Sequence, residues 1–173
     1  DNNLRYKHLY GYLIDIKKYE DERGEFYESF KIYLSHHLNF TIVQENTCKS
    51  KKNVIRGFHH QTGEHIQRKI LTVLNGRIKD VLVDVREGKT YGEVHEFEMS
   101  SSNPQLLIIP GGFAHGYCSY EDNTIISYKI DAAYNKESED GFHPLSKALA
   151  IDWKIDNPII SEKDMNLQEF NIQ

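Results

Sequence analysis

Ile70-Leu71-Thr72-Val73-Leu74-Asn75-Gly76-Arg77-Ile78-Lys79-Asp80-Val81-Leu82-Val83-Asp84-Val85 is a pair of apolar, β-branched runs joined by Asn-Gly. Such runs read as strands, and Asn-Gly tolerates the positive φ angles of a tight turn, so the stretch predicts a β-hairpin. Working outward, Leu9 to Ile16, Phe40 to Gln44, Val54 to His59, Val94 to Met99, Gln105 to Ile109 and Thr124 to Ile130 are strand-like in the same way. Arg23-Gly24, Glu87-Gly88 and Pro110-Gly111-Gly112 mark turns, the last leading into Phe113-Ala114-His115-Gly116. Helical signals are confined to Phe30 to His37 and to Asp164 to Phe170 after a Ser161-x-x-Asp164 start. There is no repeat, low-complexity tract or linker. The expectation is a mainly β chain in which residues 1–173 form one domain, a closed barrel or double-sheet jelly roll with short terminal helices. A barrel with filled walls and an open mouth offers one ligand cavity.

The 21 Lys and Arg against 26 Asp and Glu give a net charge of −5, which leaves no global positive field to attract nucleic acid. A phosphorylated ligand would need a locally basic pocket. Cys48 and Cys118 form no CxxC pair, so neither a disulfide framework nor a structural zinc site is expected, and a reducing cytoplasm is the simplest compartment. No apolar run approaches the ~20 residues that span a bilayer, and Asp1-Asn2-Asn3 does not open a signal peptide. The expectation is a soluble cytoplasmic protein without membrane contact. Its natural start stays open, since the chain begins on Asp1 rather than methionine.

Arg56, His59, Lys69, His115 and Tyr128 are polar residues on strand-like, apolar stretches, so some of them must face the interior of a barrel. Any one alone reads as a surface cation or a satisfied core histidine. Parity puts Arg56 and His59 on opposite faces of their strand unless Gly57 marks a bulge. Pro110-x-Gly112-x-x-His115 matches the second half of the general cupin signature. The His-x-His half that metal-binding cupins carry is missing: His59 and His60 are adjacent and would point to opposite faces of a regular strand. Glu64 and His65 keep a metal open as an alternative, but the site is expected to be metal-free. The remaining histidines and the Lys49, Lys51, Lys52 cluster read as ordinary surface.

The residues Arg56-Gly57-Phe58-His59-His60-Gln61, Gly112-Phe113-Ala114-His115-Gly116, Tyr128-Lys129, Tyr134-Asn135, Ile151-Asp152-Trp153 and Pro158-Ile159-Ile160-Ser161-Glu162-Lys163-Asp164 occur in order. Asp21-x-Arg23-Gly24-x-Phe26-x-Glu28 and Gln44-x-Asn46 precede them. Together they resemble the dTDP-4-dehydrorhamnose 3,5-epimerase family, cupin-fold epimerases of nucleotide sugars. The resemblance implies a cofactor-independent isomerase acting on a nucleotide-linked 4-keto sugar in deoxysugar biosynthesis for surface polysaccharide. It implies His59 as the base, Asp164 as the carboxylate that polarises it, and Tyr128 as the proton donor on the other face. Lys69 and His115 would lie near the keto oxygen and the phosphates. Arg23, Glu28, Gln44, Asn46, Arg56 and Glu139 match substrate contacts, and Tyr134 matches the aromatic residue stacked on the nucleobase. A homodimer with N-terminal strand exchange is implied too, Arg23 or Phe26 completing the neighbour's site.

The residue types suit the chemistry. A C–H bond beside a C4 ketone is acidic only because deprotonation spreads charge onto the carbonyl oxygen, so a base must be matched by stabilisation of that oxygen. Histidine, ordinarily near pKa ~6.5, fits the first task and a lysine the second. Inversion needs a proton from the opposite face, which a tyrosine hydroxyl can supply. The chain departs from the family pattern at His60, where an aromatic residue is usual. It departs again across Thr62 to Gln67, at Asn135-Lys136, where Pro usually follows Asn, and at His143-Pro144-Leu145-Ser146. These changes keep open a GDP-linked 4-keto-heptose as substrate, and inversion at C3, C5 or both. A 3,4-ketoisomerase or a non-catalytic sugar-nucleotide-binding cupin are the further alternatives.

Overall fold

The computed structural model describes residues 4–8 and 11–172. In chain order the strands are β1 (Leu4–His8), β2 (Gly11–Asp15), β3 (Lys18–Asp21), β4 (Gly24–Tyr27), β5 (Gln44–Ser50), β6 (Ile55–Gln61), β7 (Lys69–Asn75), β8 (Arg77–Asp84), β9 (Val94–Ser100), β10 (Gln105–Ile109), β11 (Phe113–Ser119), β12 (Thr124–Ile130) and β13 (Glu139–Gly141). Two short helices, α1 (Ile32–His37) and α2 (Glu162–Met165), accompany them. One sheet runs β1-β2-β10-β7-β12-β5 and the other β13-β6-β11-β8-β9, while β3 and β4 pair as a separate hairpin. This is the cupin-type double-sheet jelly roll, and its packing explains the sequence pattern. Ile78 and Leu82 of β8 point between the sheets, where they meet Leu71, Val73, Leu107 and Ile126. Val81 and Val83 point the other way, under Phe142, Leu149, Trp153 and Phe170. Both faces of β8 are covered, which is why it reads as a continuous apolar run and not as an alternation. On the outside of the other sheet Ile70, Leu106 and Ile108 are covered by Leu34 of α1 and by Phe40.

The opening stretch is corrected in one respect. Its two strands exist and Gly76 takes φ +86°, but β7 and β8 do not pair; they belong to opposite sheets. A two-residue hairpin turn of the Asn-Gly kind needs positive φ at both central residues. Asn75 instead stays in the β7 ladder opposite Ile125, and Arg77 already pairs with Ser100 of β9. Asn-Gly here turns a corner from one sheet to the other. A Cβ on Gly76 would lie 2.5 Å from the Thr124 Oγ1.

Other expectations shift as well. The run Phe40 to Gln44 is not a strand; Phe40 is buried while Ile42 and Val43 are exposed, and the ladder proper is the polar β5. Phe113-Ala114-His115-Gly116, read as the sequel to a turn, opens the wholly buried strand β11. Of the expected strand Leu9 to Ile16, Leu9 and Tyr10 lie outside the described residues, β2 takes Gly11–Asp15, and Ile16 follows it. The C-terminal helix ends at Met165 instead of reaching Phe170, because the chain turns to bond its Gln168 carbonyl to His143 N–H and to bury Phe170. Among the described residues no helix is long and apolar enough to cross a membrane.

Candidate active site

A cavity of about 770 Å³ opens between the sheets, walled by β5, β6, β7, β11 and β12 and rimmed by residues 134–139 and 159–164. That volume is within the range that holds a drug-sized or nucleotide-sized ligand. Its defining irregularity is on β6. His59 pairs with His115 and Arg56 with Tyr117, so three steps along β6 match two along β11. Gly57 and Phe58 together oppose Gly116, a one-residue bulge that brings Arg56 and His59 to the same wall. Only glycine fits: Gly57 has φ +128°, and a Cβ there would lie 2.6 Å from Gly116 Cα. Arg56 Nε donates to Ser50 Oγ at 3.0 Å, tying β6 to β5 of the other sheet.

Asp164 reaches this wall from α2, whose first turn is capped by Ser161 Oγ accepting from Asp164 N–H at 3.1 Å. One carboxylate oxygen lies 2.9 Å from His59 Nε2, and the other accepts the Gly57 N–H at 3.1 Å. Burial alone would push the Asp164 carboxyl up, but the hydrogen bonds from His59 and Gly57 outweigh it and hold it below the ordinary carboxylate value. An ionised carboxylate at Nε2 fixes the imidazole tautomer, leaving Nδ1 as the basic nitrogen.

The opposite sheet presents Lys69 from β7 and Tyr128 from β12, with the Lys69 Nζ 5.4 Å from the centre of the Tyr128 ring. Burial pushes the Lys69 ammonium below its ordinary value, against the opposing charges of Asp80 and Glu139. Among the described residues no carboxylate forms an ion pair with it. A half-buried cation of this kind interacts strongly with any charge that develops beside it. His115 also lines the cavity, its Nε2 2.6 Å from the fully buried carboxylate of Asp80.

Gln44 and Asn46 reach the cavity from β5, bonded to each other at 2.7 Å, and Tyr134 and Glu139 stand at its rim. Burial pushes the Glu139 carboxyl up, but the Lys163 ammonium, 2.6 Å away, prevails and holds it low. Arg23, Phe26 and Glu28 are elsewhere. Arg23 pairs with Asp21 in the β3–β4 turn, Phe26 is 63% exposed, and Glu28 pairs with Lys31. None of the three lines the cavity of its own chain. Asp80, Lys163 and Tyr117, to which the sequence assigns no role, also belong to this site. Asp80 carried a signal, a carboxylate inside the apolar run Ile78 to Val83; Lys163 and Tyr117 carried none. Among the described residues no three His, Cys, Asp or Glu side chains cluster as metal ligands would.

The double-sheet barrel, with a carboxylate-held histidine facing a lysine and a tyrosine, is a cupin fold, and its similarity to known proteins makes the chain a carbohydrate epimerase, an enzyme of the isomerase class. Residues 9–171 match the model of the dTDP-4-dehydrorhamnose 3,5-epimerase family, and the chain belongs to that family. A dTDP-4-dehydrorhamnose 3,5-epimerase of Shigella flexneri is 37% identical over 164 residues, covering 91% of this chain and 90% of the relative. One of Methanothermobacter thermautotrophicus is 39% identical over 160 residues, covering 89% and 86%. The crystal structure of the dTDP-6-deoxy-D-glucose-3,5-epimerase of Legionella pneumophila, in complex with dTDP-4-keto-L-rhamnose, superposes with a TM-score of 0.89 at 36% identity, covering 96% of this chain and 92% of that one. None of these three is named for a GDP-linked heptose, for keto-group migration or for binding alone, so those alternatives gain no support.

Proposed function

We propose that this chain inverts both C3 and C5 of a dTDP-linked 4-keto-6-deoxyhexose, with His59, Asp164, Lys69 and Tyr128 as its catalytic residues. The reading is carried by the His59–Asp164 pair, 2.9 Å apart on one wall of a cavity whose facing wall holds Lys69 and Tyr128. The names of the Shigella and Methanothermobacter relatives and the dTDP-4-keto sugar bound by the Legionella enzyme support the substrate. His59 Nδ1 takes the proton from the carbon beside the C4 ketone. The C–H electron pair becomes the enolate, and the Lys69 ammonium stabilises the charge on the C4 oxygen. Tyr128 returns a proton to the carbon from the opposite face, inverting it. Exchange with solvent then discharges His59 and reprotonates Tyr128, resetting the pair for the second centre. Arg56 and His115 serve the diphosphate, Gln44, Asn46 and Glu139 the nucleoside, and Tyr134 stacks on the base.

The exposed Arg23, Phe26 and Glu28 support the further reading that the enzyme is a homodimer exchanging N-terminal strands, each hairpin completing the neighbour's site. Cys48 and Cys118 are free thiols, which suits the reducing cytoplasm. The test is incubation with dTDP-4-keto-6-deoxyglucose in deuterated water. Deuterium should enter at C3 and C5 by NMR, and His59→Ala should slow that exchange by about 10²–10⁴-fold while dTDP still binds. Undiminished exchange in the variant would remove His59 from the mechanism. Migration of the carbonyl to C3 would mean a ketoisomerase instead.

A further inference from the structure

Gln61 closes β6 two residues after His59 and is 6% exposed. Its amide makes three hydrogen bonds, all to main-chain groups of other segments. Nε2 donates to His65 O at 2.7 Å and to Ala133 O at 3.2 Å, and Oε1 accepts from Asn135 N–H at 2.9 Å. Both amide hydrogens are used, and the partners themselves fix which way the amide points. Ala133 and Asn135 flank Tyr134, a residue that is 55% exposed, so packing does little to hold it and its side chain is held by a hydrogen bond with Glu139 and by the backbone that carries it. The surrounding bonds run between the same two segments. Gln67 Nε2 donates to Ala132 O at 2.8 Å, Arg68 pairs with Asp131, and Thr62 N–H reaches Ser138 O at 3.0 Å. Residues 62–67 and Asn135-Lys136 are also two of the places where this chain departs from the family pattern, and one side chain bonds to both segments.

We infer that Gln61 is a positioning residue: from the end of the catalytic strand it sets the backbone on both sides of Tyr134, and so fixes that ring at the mouth of the cavity. Gln61 lines the cavity, but none of its hydrogen bonds goes to His59, Asp164, Lys69 or Tyr128. Its role falls on nucleotide affinity, not on proton transfer. The inference rests on the reading of Tyr134 as the residue that stacks on the nucleobase.

The test uses Gln61→Met, which fills the same space without hydrogen bonds, and Gln61→Glu, which keeps the acceptor for Asn135 N–H and loses the two donors. In Gln61→Met the Asn135 amide should exchange with deuterated water about tenfold faster or more, while amides of β7 and β12 keep their protection. In Gln61→Glu the Asn135 amide should remain largely protected. KM for the dTDP sugar should rise about tenfold in Gln61→Met with kcat held within about twofold, since loss of an aligned aromatic stack is a loss of binding. In a Tyr134→Ala background the same substitution should add almost nothing to KM. Unchanged exchange at Asn135, exchange raised equally across the barrel, or a tenfold rise in KM that persists without the Tyr134 ring would each overturn the inference. If Tyr134→Ala alone leaves dTDP affinity intact, the stacking role fails instead, and the Asn135 amide still decides whether Gln61 positions the loop.

Discussion

Asp164 accepts two hydrogen bonds at once, from His59 and from the Gly57 N–H, and only a carboxylate can do so with both oxygens. Asparagine at this position must turn its amino group toward one of those donors. Either the Gly57 N–H is left without a partner, or His59 moves its proton to Nδ1, the nitrogen that the mechanism needs empty. Asp164→Asn is therefore expected to lower exchange by about 10²–10⁴-fold with little change in KM. Its effect on stability has a definite pH window. The folded carboxyl lies below its ordinary value of 3.8, so the stabilisation is fully present above that pH and is lost as pH falls through the depressed folded value. Thermal melts should separate wild type from Asp164→Asn at neutral pH and converge in strong acid. A gap that widened below pH ~3.8 would contradict the assignment. At this scale the sequence was readable only in combination. His59 alone is an ordinary half-buried histidine; the ordered motifs pointed to Asp164, over 100 residues away, a carboxylate in an apolar run hinted at Asp80, and packing supplied the contact of Lys163 with Glu139.

The bulge on β6 is the element on which the site turns. Gly57→Ala would place a methyl group against the Gly116 backbone at 2.6 Å and the His115 carbonyl at 2.9 Å, in a conformation that L side chains rarely adopt. Neither obstacle is the end of a flexible side chain, so the expected cost is about 2–4 kcal/mol in denaturant unfolding, with activity falling further than stability. Unaltered stability would mean that the bulge tolerates a side chain. Elements buried on both faces, such as β8 and β10, were legible as strands because apolar residues predominate in them. β5 was not. One side of it meets a wet cavity and the other meets solvent, so Gln44 to Ser50 look like a loop. The Asn-Gly corner joins two sheets instead of closing a hairpin, since residue identity reports a permitted φ angle and not which strand lies alongside.

For the whole molecule, the proposed strand exchange makes two demands. Light scattering should give about twice the 20.2 kDa chain mass, and the sites should be composite. Mixing Arg23→Ala with His59→Ala, each inactive or nearly so, should then restore about a quarter of wild-type activity, because half the dimers are mixed and each has one intact site. A monomeric mass, or no recovery after subunit exchange, would return Arg23 to its own surface. The overall architecture and the catalytic wall are in this sense specified apart. The corners, buried strands and apolar layers would serve equally well if β6 ran in unbroken register with β11. Without the bulge, Arg56 and His59 lie three residues apart on a regular strand and would face opposite sides of the sheet. A chain of the same length whose β6 ran straight would still encode a barrel and would turn Arg56 away from His59, which makes the glycine at position 57 the most economical place to look for relatives that have kept the shape and lost the chemistry.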